Sequence, residues 1–564
     1  MADDRTMRRI RHLSDALEGS PRSDCSTPLQ RQGCRADELH EAPNKVVTAD
    51  EAVARIKDGS IVTVAGFVGS GPSDSLFKAL RQRYDSTSTP RNLSIIFLAS
   101  VGNSKGAGLD VLATEGLVEA VTYGWIGSCP KLGRMVLENK IRAHNLPLGV
   151  LSHMMRDIAA KRIGPITKTG LGTFVDPREK GGKRNSRTTE DVVSLMTLNG
   201  EEYLHYKAGI EGSRGPPRRI DVALLRGTTA DLAGNVSFER EVLYLDQLHQ
   251  AMAARNSGGL VIVQVERVVD RHSLPSRAVH LHASLVDLIV VAEAADHPQS
   301  YAPGAYDGAL SGEVRAPLHA IARLPMNERK IIAHRAFLEI DTLHCLVNLG
   351  VGIPEGVAVL KASHGRDNPA GATATLTTEA GVFGGIPAGG LRFGSGYNCE
   401  ALVPTASMID FYSGGGVDVC VLGMAEVDGA GNVNVHNFGT RAPGCGGFID
   451  ISQSSKKCVF VGTFTSGGLK VSIQGGKLVI LQEGRTRKFI KAVVEKTFAA
   501  ALSQGRPVLY VTERAVFRPL VGEGRLELVE VAPGVDIARD VLAHMDFEPV
   551  VRHVKLMDPR IFQA

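Results

Sequence analysis

Short apolar runs alternate with amphipathic stretches and glycine-rich turns along most of the chain. Thr48-Ala49-Asp50-Glu51 opens a first helix, with Thr48 and Glu51 at capping-box spacing; residues 52–57 continue it and Asp58-Gly59 stop it. The run Ile61-Val62-Thr63-Val64-Ala65 predicts a buried strand. Gly66-Phe67-Val68-Gly69-Ser70-Gly71-Pro72 interrupts it, and residues 73–84 read as a helix. Strand, glycine turn and helix in that order leave free N–H groups and a helix dipole pointing the same way, a layout suited to a phosphate or an oxyanion. Pro72 departs from the dinucleotide-binding G-x-G-x-x-G template.

Further β runs at Leu93–Ala99 and at 120–123, 222–225, 261–265 and 288–292 alternate with helical segments. That spacing predicts a parallel sheet with right-handed crossovers. Residues 299–325 hold Pro303, Gly304, Gly308, Gly312, Pro317 and Pro325, the breakers of an interdomain connection. A second α/β unit follows, with strands at 346–348, 417–423, 457–462 and Val508–Val511. Within it, a β-prone stretch of Thr and Leu ends in Thr378-Glu379-Ala380-Gly381, where glycines take over. An α/β fold presents a reactive side chain at such a strand end, and glycine lets a substrate approach the backbone. The competing reading is a solvated loop glutamate. Helix capping is disfavoured, because Leu376 stands where a capping box needs Ser or Thr.

The two halves echo each other. Asp231-Leu232-Ala233-Gly234-Asn235-Val236 matches Asp428-Gly429-Ala430-Gly431-Asn432-Val433, and Gly69-x-Gly71-Pro72 has a looser counterpart in Gly350-x-Gly352-x-Pro354. The same order in both halves points to duplication. The expected fold is α/β: two similar open α/β domains with largely parallel sheets, and the active site in the cleft between them. The expected divisions are an extension at 1–45, an N-terminal domain at 46–298, a linker at 299–327 and a C-terminal domain at 328–564 that carries Glu379.

Composition narrows the class. A chain of 564 residues is too long for one core. A hydrophobic content of 43% and a charged content of 22% are ordinary for a globular protein, and a net charge of +4 gives no support for a nucleic-acid partner. Cysteines at 25, 34, 129, 345, 399, 420, 445 and 458 form no C-x-x-C pair, which argues for reduced thiols and against a disulfide framework or a zinc site. The best candidate for a membrane span, residues 285–295, is short and holds Asp287 and Glu293, so no membrane partner is expected. Near the N-terminus, Arg5, Arg8, Arg9 and Arg11 with Ile10, Leu13 and Leu17 make a basic amphipathic stretch, followed by sequence without periodicity. Asp3, Asp4, Asp15 and Glu18 make it more acidic than a mitochondrial presequence. A disordered extension on a cytoplasmic protein is expected; a presequence would place the protein in the mitochondrial matrix.

Six stretches carry a family resemblance: Gly66-Phe67-Val68-Gly69-Ser70-Gly71, Asn145-Leu146-Pro147, Gly170-Leu171-Gly172-Thr173-Phe174-Val175-Asp176-Pro177-Arg178, Asn348-Leu349-Gly350-Val351-Gly352-Ile353-Pro354, Glu379-Ala380-Gly381 and Gly446-Gly447-Phe448-Ile449-Asp450-Ile451. From Val46 onward the chain resembles a family I coenzyme A transferase with both subunits fused, as in the acetate and propionate CoA-transferases, and related to the 3-oxoacid CoA-transferases. The resemblance implies a ping-pong exchange of CoA between a short-chain acyl-CoA and a carboxylate. It needs no metal and no cofactor beyond the CoA substrate, and it implies a homodimer or homotetramer. Glu379 matches the nucleophile of the family's E-x-G motif. Backbone N–H groups of Val68, Gly69, Gly446 and Gly447 match an oxyanion hole, and Asn432 a supporting hydrogen bond. Gly71, Arg178, Lys183, Gly381 and Gly384 are the expected CoA contacts. Arg178 and Lys183 belong to a loop, 176–187, that also holds Lys180, Arg184 and Arg187; such a charge run is equally what a solvated surface looks like.

His280-Leu281-His282 alternates as a strand does, so the two imidazoles face opposite sides, which reads as structural; Cys445 needs no catalytic role. Relatives usually carry glutamine after Asn-Leu-Pro, whereas this chain has Leu148, which implies a more apolar or longer acyl group. Two alternatives stand beside the transferase. Water attacking the glutamyl–CoA thioester makes an acyl-CoA hydrolase, and loss of turnover leaves a CoA-binding protein.

Overall fold

In the computed structural model, which describes residues 44–208, 219–304, 306–317, 319, 323–340, 344–367, 373–503, 505–520 and 522–563, the apolar runs assemble into two large sheets. The first has eight strands in the order Val46–Val47, Leu288–Val291, Leu260–Val265, Val222–Arg226, Ile61–Val64, Leu93–Ala99, Val118–Trp125, Arg142–Asn145. Every pairing is parallel. Alternate residues enter different cores: Val62, Ile95 and Phe97 pack with helices Asp74–Thr87 and Pro130–Leu137, while Ile61, Ile96 and Leu98 pack with Leu148–Ala159 and Gln247–Asn256. Burial on both faces is why these strands read as unbroken apolar runs rather than alternating ones.

The second sheet has ten strands. Its centre is parallel, in the order Thr375–Thr378, Leu346–Leu349, Val419–Gly423, Lys457–Val461, Val508–Val511. Antiparallel strands extend it on both sides: Val382–Phe383 and Ala401–Leu402 beyond Thr375–Thr378, and Ala515–Leu520 and Arg525–Val531 beyond Val508–Val511. Val550–Leu556 closes that edge in parallel. Lys45–Ala564 form one compact unit. One apolar cluster runs through both halves, joining Phe67, Ala99 and Leu148 to Ala380, Phe393 and Ile449.

Local signals act as the sequence suggests. The Thr48 hydroxyl accepts from Glu51 N–H at 3.2 Å and Glu51 Oε2 accepts from Thr48 N–H at 2.9 Å, completing the capping box. The helix ends earlier than expected, at Val53, because Arg55 and Ile56 donate back to Ala52 and Val53 in a tightened turn. The duplicated turn is one structure built twice. Asn235 Nδ2 donates to Asp231 Oδ2 at 2.9 Å, and Asn432 Nδ2 donates to Asp428 Oδ2 at 3.0 Å. The expected extension lies outside the described residues except for Asn44 and Lys45. Among the described residues no helix is long and apolar enough to cross a membrane.

Candidate functional site

The carboxyl ends of strands from both sheets converge on one cavity of about 280 Å³. Phe67 and Val68 follow Ile61–Val64, while Ala99 and Trp125 end their strands and Leu148 lies just beyond Arg142–Asn145. From the other half come Gly350, Glu379 and Met424, each just past a strand, together with Phe393 and the turn Gly446-Gly447. Open α/β sheets place their ligand sites at this edge, because the strand-to-helix turns leave side chains free there. The walls are apolar and Glu379 is the carboxylate among them.

Glu379 opens the turn that returns Thr375–Thr378 to Val382–Phe383, with Thr378 paired to Val382. Glu379 is 6% exposed, and Oε2 has no hydrogen-bond partner among the described residues. Burial pushes its carboxyl up to about 7, against the opposing pull of the Asn348 amide on the adjacent strand. Asn348 is itself held by Tyr412, whose hydroxyl lies 3.1 Å from Nδ2 and 2.7 Å from Thr377 Oγ1. A second buried carboxyl, Asp450, is also pushed up to about 7, chiefly by burial and further by the charge of Glu379.

Three of the four expected oxyanion positions, Val68, Gly446 and Gly447, line the cavity. Phe67 and Ser70 exchange both backbone hydrogen bonds at 2.9 Å, so Val68 and Gly69 form a two-residue loop. Val68 takes φ +56°, a left-handed conformation that is strained for a β-branched residue and is over-determined by that hairpin. Gly69 does not line the cavity; a β-carbon there would meet Leu391 O at 2.3 Å. The Gly446 N–H is committed to Gly124 O at 2.8 Å, which removes it as an oxyanion donor. Gly447 N–H has no such partner among the described residues, and Gly447 lies directly against Glu379.

Several expected contacts lie elsewhere. Asn432 is absent from the cavity wall: its amide locks the duplicated turn, and its Oδ1 accepts from Ala500 N–H at 3.2 Å, just as Asn235 Oδ1 accepts from Ala283 N–H at 3.0 Å. Asn348, which opens one of the six family stretches but is given no role there, is the asparagine beside Glu379. The basic loop is neutralised throughout. Arg178 binds Asp176 and Glu202, Lys183 pairs with Asp191 at 2.6 Å, and Arg187 pairs with Glu119. Lys180 and Arg184 share Glu495 at 2.6 Å each, with His436 at 2.7 Å from the same carboxylate. Burial opposes ionisation of Glu495, yet His436, Arg184 and Lys180 hold it well below the usual carboxylate range. The glycines have steric reasons of their own: β-carbons would meet Val403 O at 2.0 Å from Gly381 and Glu400 Cδ at 2.4 Å from Gly384. Gly71, at φ +69°, lies against a separate small cavity with Arg226 and Glu241. His280 stacks on Phe238 and His282 caps a short 3₁₀ turn, both structural roles.

The coenzyme A transferase family profile matches residues 46–292. The chain is 44% identical over 526 residues to the caffeate CoA-transferase of Acetobacterium woodii, covering 92% of this chain and 97% of that protein. It is 42% identical over 522 residues to the acetate CoA-transferase YdiF of Escherichia coli strain K12, covering 92% and 95%. The acyl-CoA transferase YdiF of Escherichia coli O157:H7, solved as a thioester complex with CoA, superposes with a TM-score of 0.84 at 41% identity, over 92% of this chain and 96% of that one.

Proposed function

This chain belongs to the coenzyme A transferase family and exchanges CoA between an acyl-CoA and a free carboxylate, and from that premise we propose that Glu379 is the nucleophile. Its carboxylate attacks the thioester carbonyl and the C–S bond breaks, giving an acyl–glutamyl anhydride and CoA thiolate. The thiolate attacks the glutamyl carbonyl and expels the donor acid, leaving a Glu379–CoA thioester. An acceptor carboxylate then runs the two steps in reverse, and no net proton is taken up or lost. A serine or lysine nucleophile would end as a stable ester or amide, whereas a carboxylate keeps each step near balance.

The observation that carries this reading is the buried Glu379 carboxyl with Oε2 unpartnered at the wall of an apolar cavity. Gly447 N–H, without a backbone partner among the described residues and on a residue packed against Glu379, is the donor assigned to the tetrahedral intermediates; one such donor is typically worth ~3 kcal/mol. The thioester complex of the Escherichia coli O157:H7 relative supports an enzyme-bound CoA intermediate. Phe67, Trp125, Leu148, Phe393 and Phe448 wall the site with apolar surface that keeps water from the thioester. The transferase relatives do not favour the hydrolase or inactive-protein readings. Leu148 lies in the cavity wall, which favours an acyl group more apolar or longer than acetyl. The reaction as written uses no metal or redox cofactor. A homodimer or homotetramer and a cytoplasmic location complete the proposal.

Mass spectrometry after mixing the protein with acetyl-CoA and no acceptor tests it. A CoA-sized adduct on the peptide carrying Glu379, absent in Glu379→Asp and discharged by propionate, is expected. Neither adduct nor CoA release with any short acyl-CoA would sink it.

A further inference from the structure

Asn145-Leu146-Pro147 leads into Leu148, and Gly446-Gly447-Phe448-Ile449-Asp450 contributes Gly447 to the cavity, yet Asn145 and Asp450 touch no reacting atom in the steps above. Asn145 bonds the residue before the Gly446-Gly447 turn, and Asp450 lies on the helix after it. Asn145 ends its strand fully buried, and its amide spends every polar atom. Nδ2 donates to Tyr123 O at 2.8 Å and to Gly124 O at 2.7 Å, and Oδ1 accepts from Cys445 N–H at 3.0 Å. Gly446 N–H then donates to Gly124 O at 2.8 Å, and Leu148 N–H donates to Gly446 O at 2.9 Å. Asp450, 2% exposed and three residues past Gly447, accepts from Gly149 N–H at 3.0 Å through Oδ2. The approach is close enough that a β-carbon on Gly149 would lie 2.6 Å from Asp450 Oδ1.

We infer that Asn145 and Asp450 are positioning residues that hold the Gly446-Gly447 turn of one half against the other, and so fix Gly447 beside Glu379; the inference rests on Glu379 being the nucleophile. These side chains act beside the backbone hydrogen bonds that Gly446 makes with Gly124 and Leu148. Asn145 holds the residue before Gly446, and Asp450 ties the helix after Gly447 to the start of Leu148–Ala159. A drift of ~1 Å in a preorganised donor can cost about 100-fold in rate without touching ground-state binding.

The test compares the rate of CoA-adduct formation from acetyl-CoA, kcat and KM across three variants. Asn145→Ala is expected to lower kcat and the adduct rate ~100-fold while KM for acetyl-CoA stays within ~3-fold. Asn235→Ala removes an equally bonded asparagine from the duplicated turn, away from the cavity, and is expected to lower Tm without changing kcat. Equal kcat in the two variants would overturn the inference for Asn145. Asp450→Ala removes the acceptor for Gly149 N–H and is expected to lower kcat and the adduct rate while KM for acetyl-CoA stays within ~3-fold. Wild-type kcat in Asp450→Ala would overturn the role of Asp450, whether or not Asn145→Ala folds. Wild-type protein that forms no adduct would instead overturn the nucleophile assignment.

Discussion

Gly447 and Glu379 are packed so closely that a β-carbon on Gly447 would lie 3.2 Å from Glu379 Cγ and 3.6 Å from its Cβ. The contact joins a strand-end carboxylate to the residue that precedes helix Phe448–Ser454. It sets Gly447 beside the nucleophile and leaves little room for a side chain there.

Gly447→Ala therefore presses on the nucleophile itself. Overpacking of this kind costs ~1–3 kcal/mol, which appears as a fall in kcat of ~10- to 100-fold if Glu379 must turn aside. Steady-state kinetics with acetyl-CoA and propionate measures it; full activity would show that the contact is slack.

Activity should follow the ionisation of Glu379. Only the carboxylate attacks, and burial has moved that group up to about 7. The expected kcat/KM therefore rises with pH, is half-maximal near pH 7 and is level above it. A profile already flat from pH 5 would place the carboxyl in its ordinary range.

The same shift has a stability consequence of opposite sign. A carboxyl raised in the folded state from 4.5 to about 7 favours folding while protonated, and that contribution is lost as pH rises through 7. Glu379→Gln cannot ionise, so at pH 8 it should be more stable than wild type by up to ~3 kcal/mol, a gain that vanishes below pH ~4.5. Denaturant unfolding at the two pH values checks both halves of the statement.

Arg178→Ala and Lys183→Ala should leave KM for acyl-CoA within ~2-fold, because each cation is already paired with carboxylates. Glu495→Ala behaves differently. It strands Arg184, buried with it, and should lower stability by ~3 kcal/mol. A large rise in KM for Arg178→Ala would return the basic loop to the CoA site.

Leu148→Gln puts an amide into the apolar wall. The ratio of kcat/KM for butyryl-CoA over acetyl-CoA should fall ~10-fold, the scale of apolar pocket discrimination. An unchanged ratio, with acetyl- and butyryl-CoA used equally well, would remove Leu148 from the specificity account.

Much of the fold is legible in the chain. A parallel strand buried on both faces must be apolar at nearly every position, so Ile61–Val64, Leu93–Ala99 and Val508–Val511 stand out as runs. The strands after Val511 escaped that reading, since edge and antiparallel strands such as Arg525–Val531 mix exposed and buried positions. In the site, Glu379 was legible because the residue pattern changes there from β-branched to glycine. Asn348 was not, because it lies inside a strand and nothing local says which side chain its amide reaches. The basic loop misled for a related reason: Glu119 and above all Glu495 are remote in sequence, so Lys180, Arg184 and Arg187 looked unpaired.

Sequence by itself determined the class of the protein: where strands end, where glycine must take over, and which carboxylate stands at such an end. These are local matters of backbone freedom and burial period. Tertiary structure decided which groups surround that carboxylate. It brought Gly447 to Glu379, spent the Gly446 N–H on Gly124, and closed the duplicated Asp–Asn turn on itself at Asn432. It also removed water from Glu379 and Asp450 together. The physical reason is one of range: propensity acts over a few residues, whereas desolvation, donor availability and charge pairing depend on which distant segments pack together.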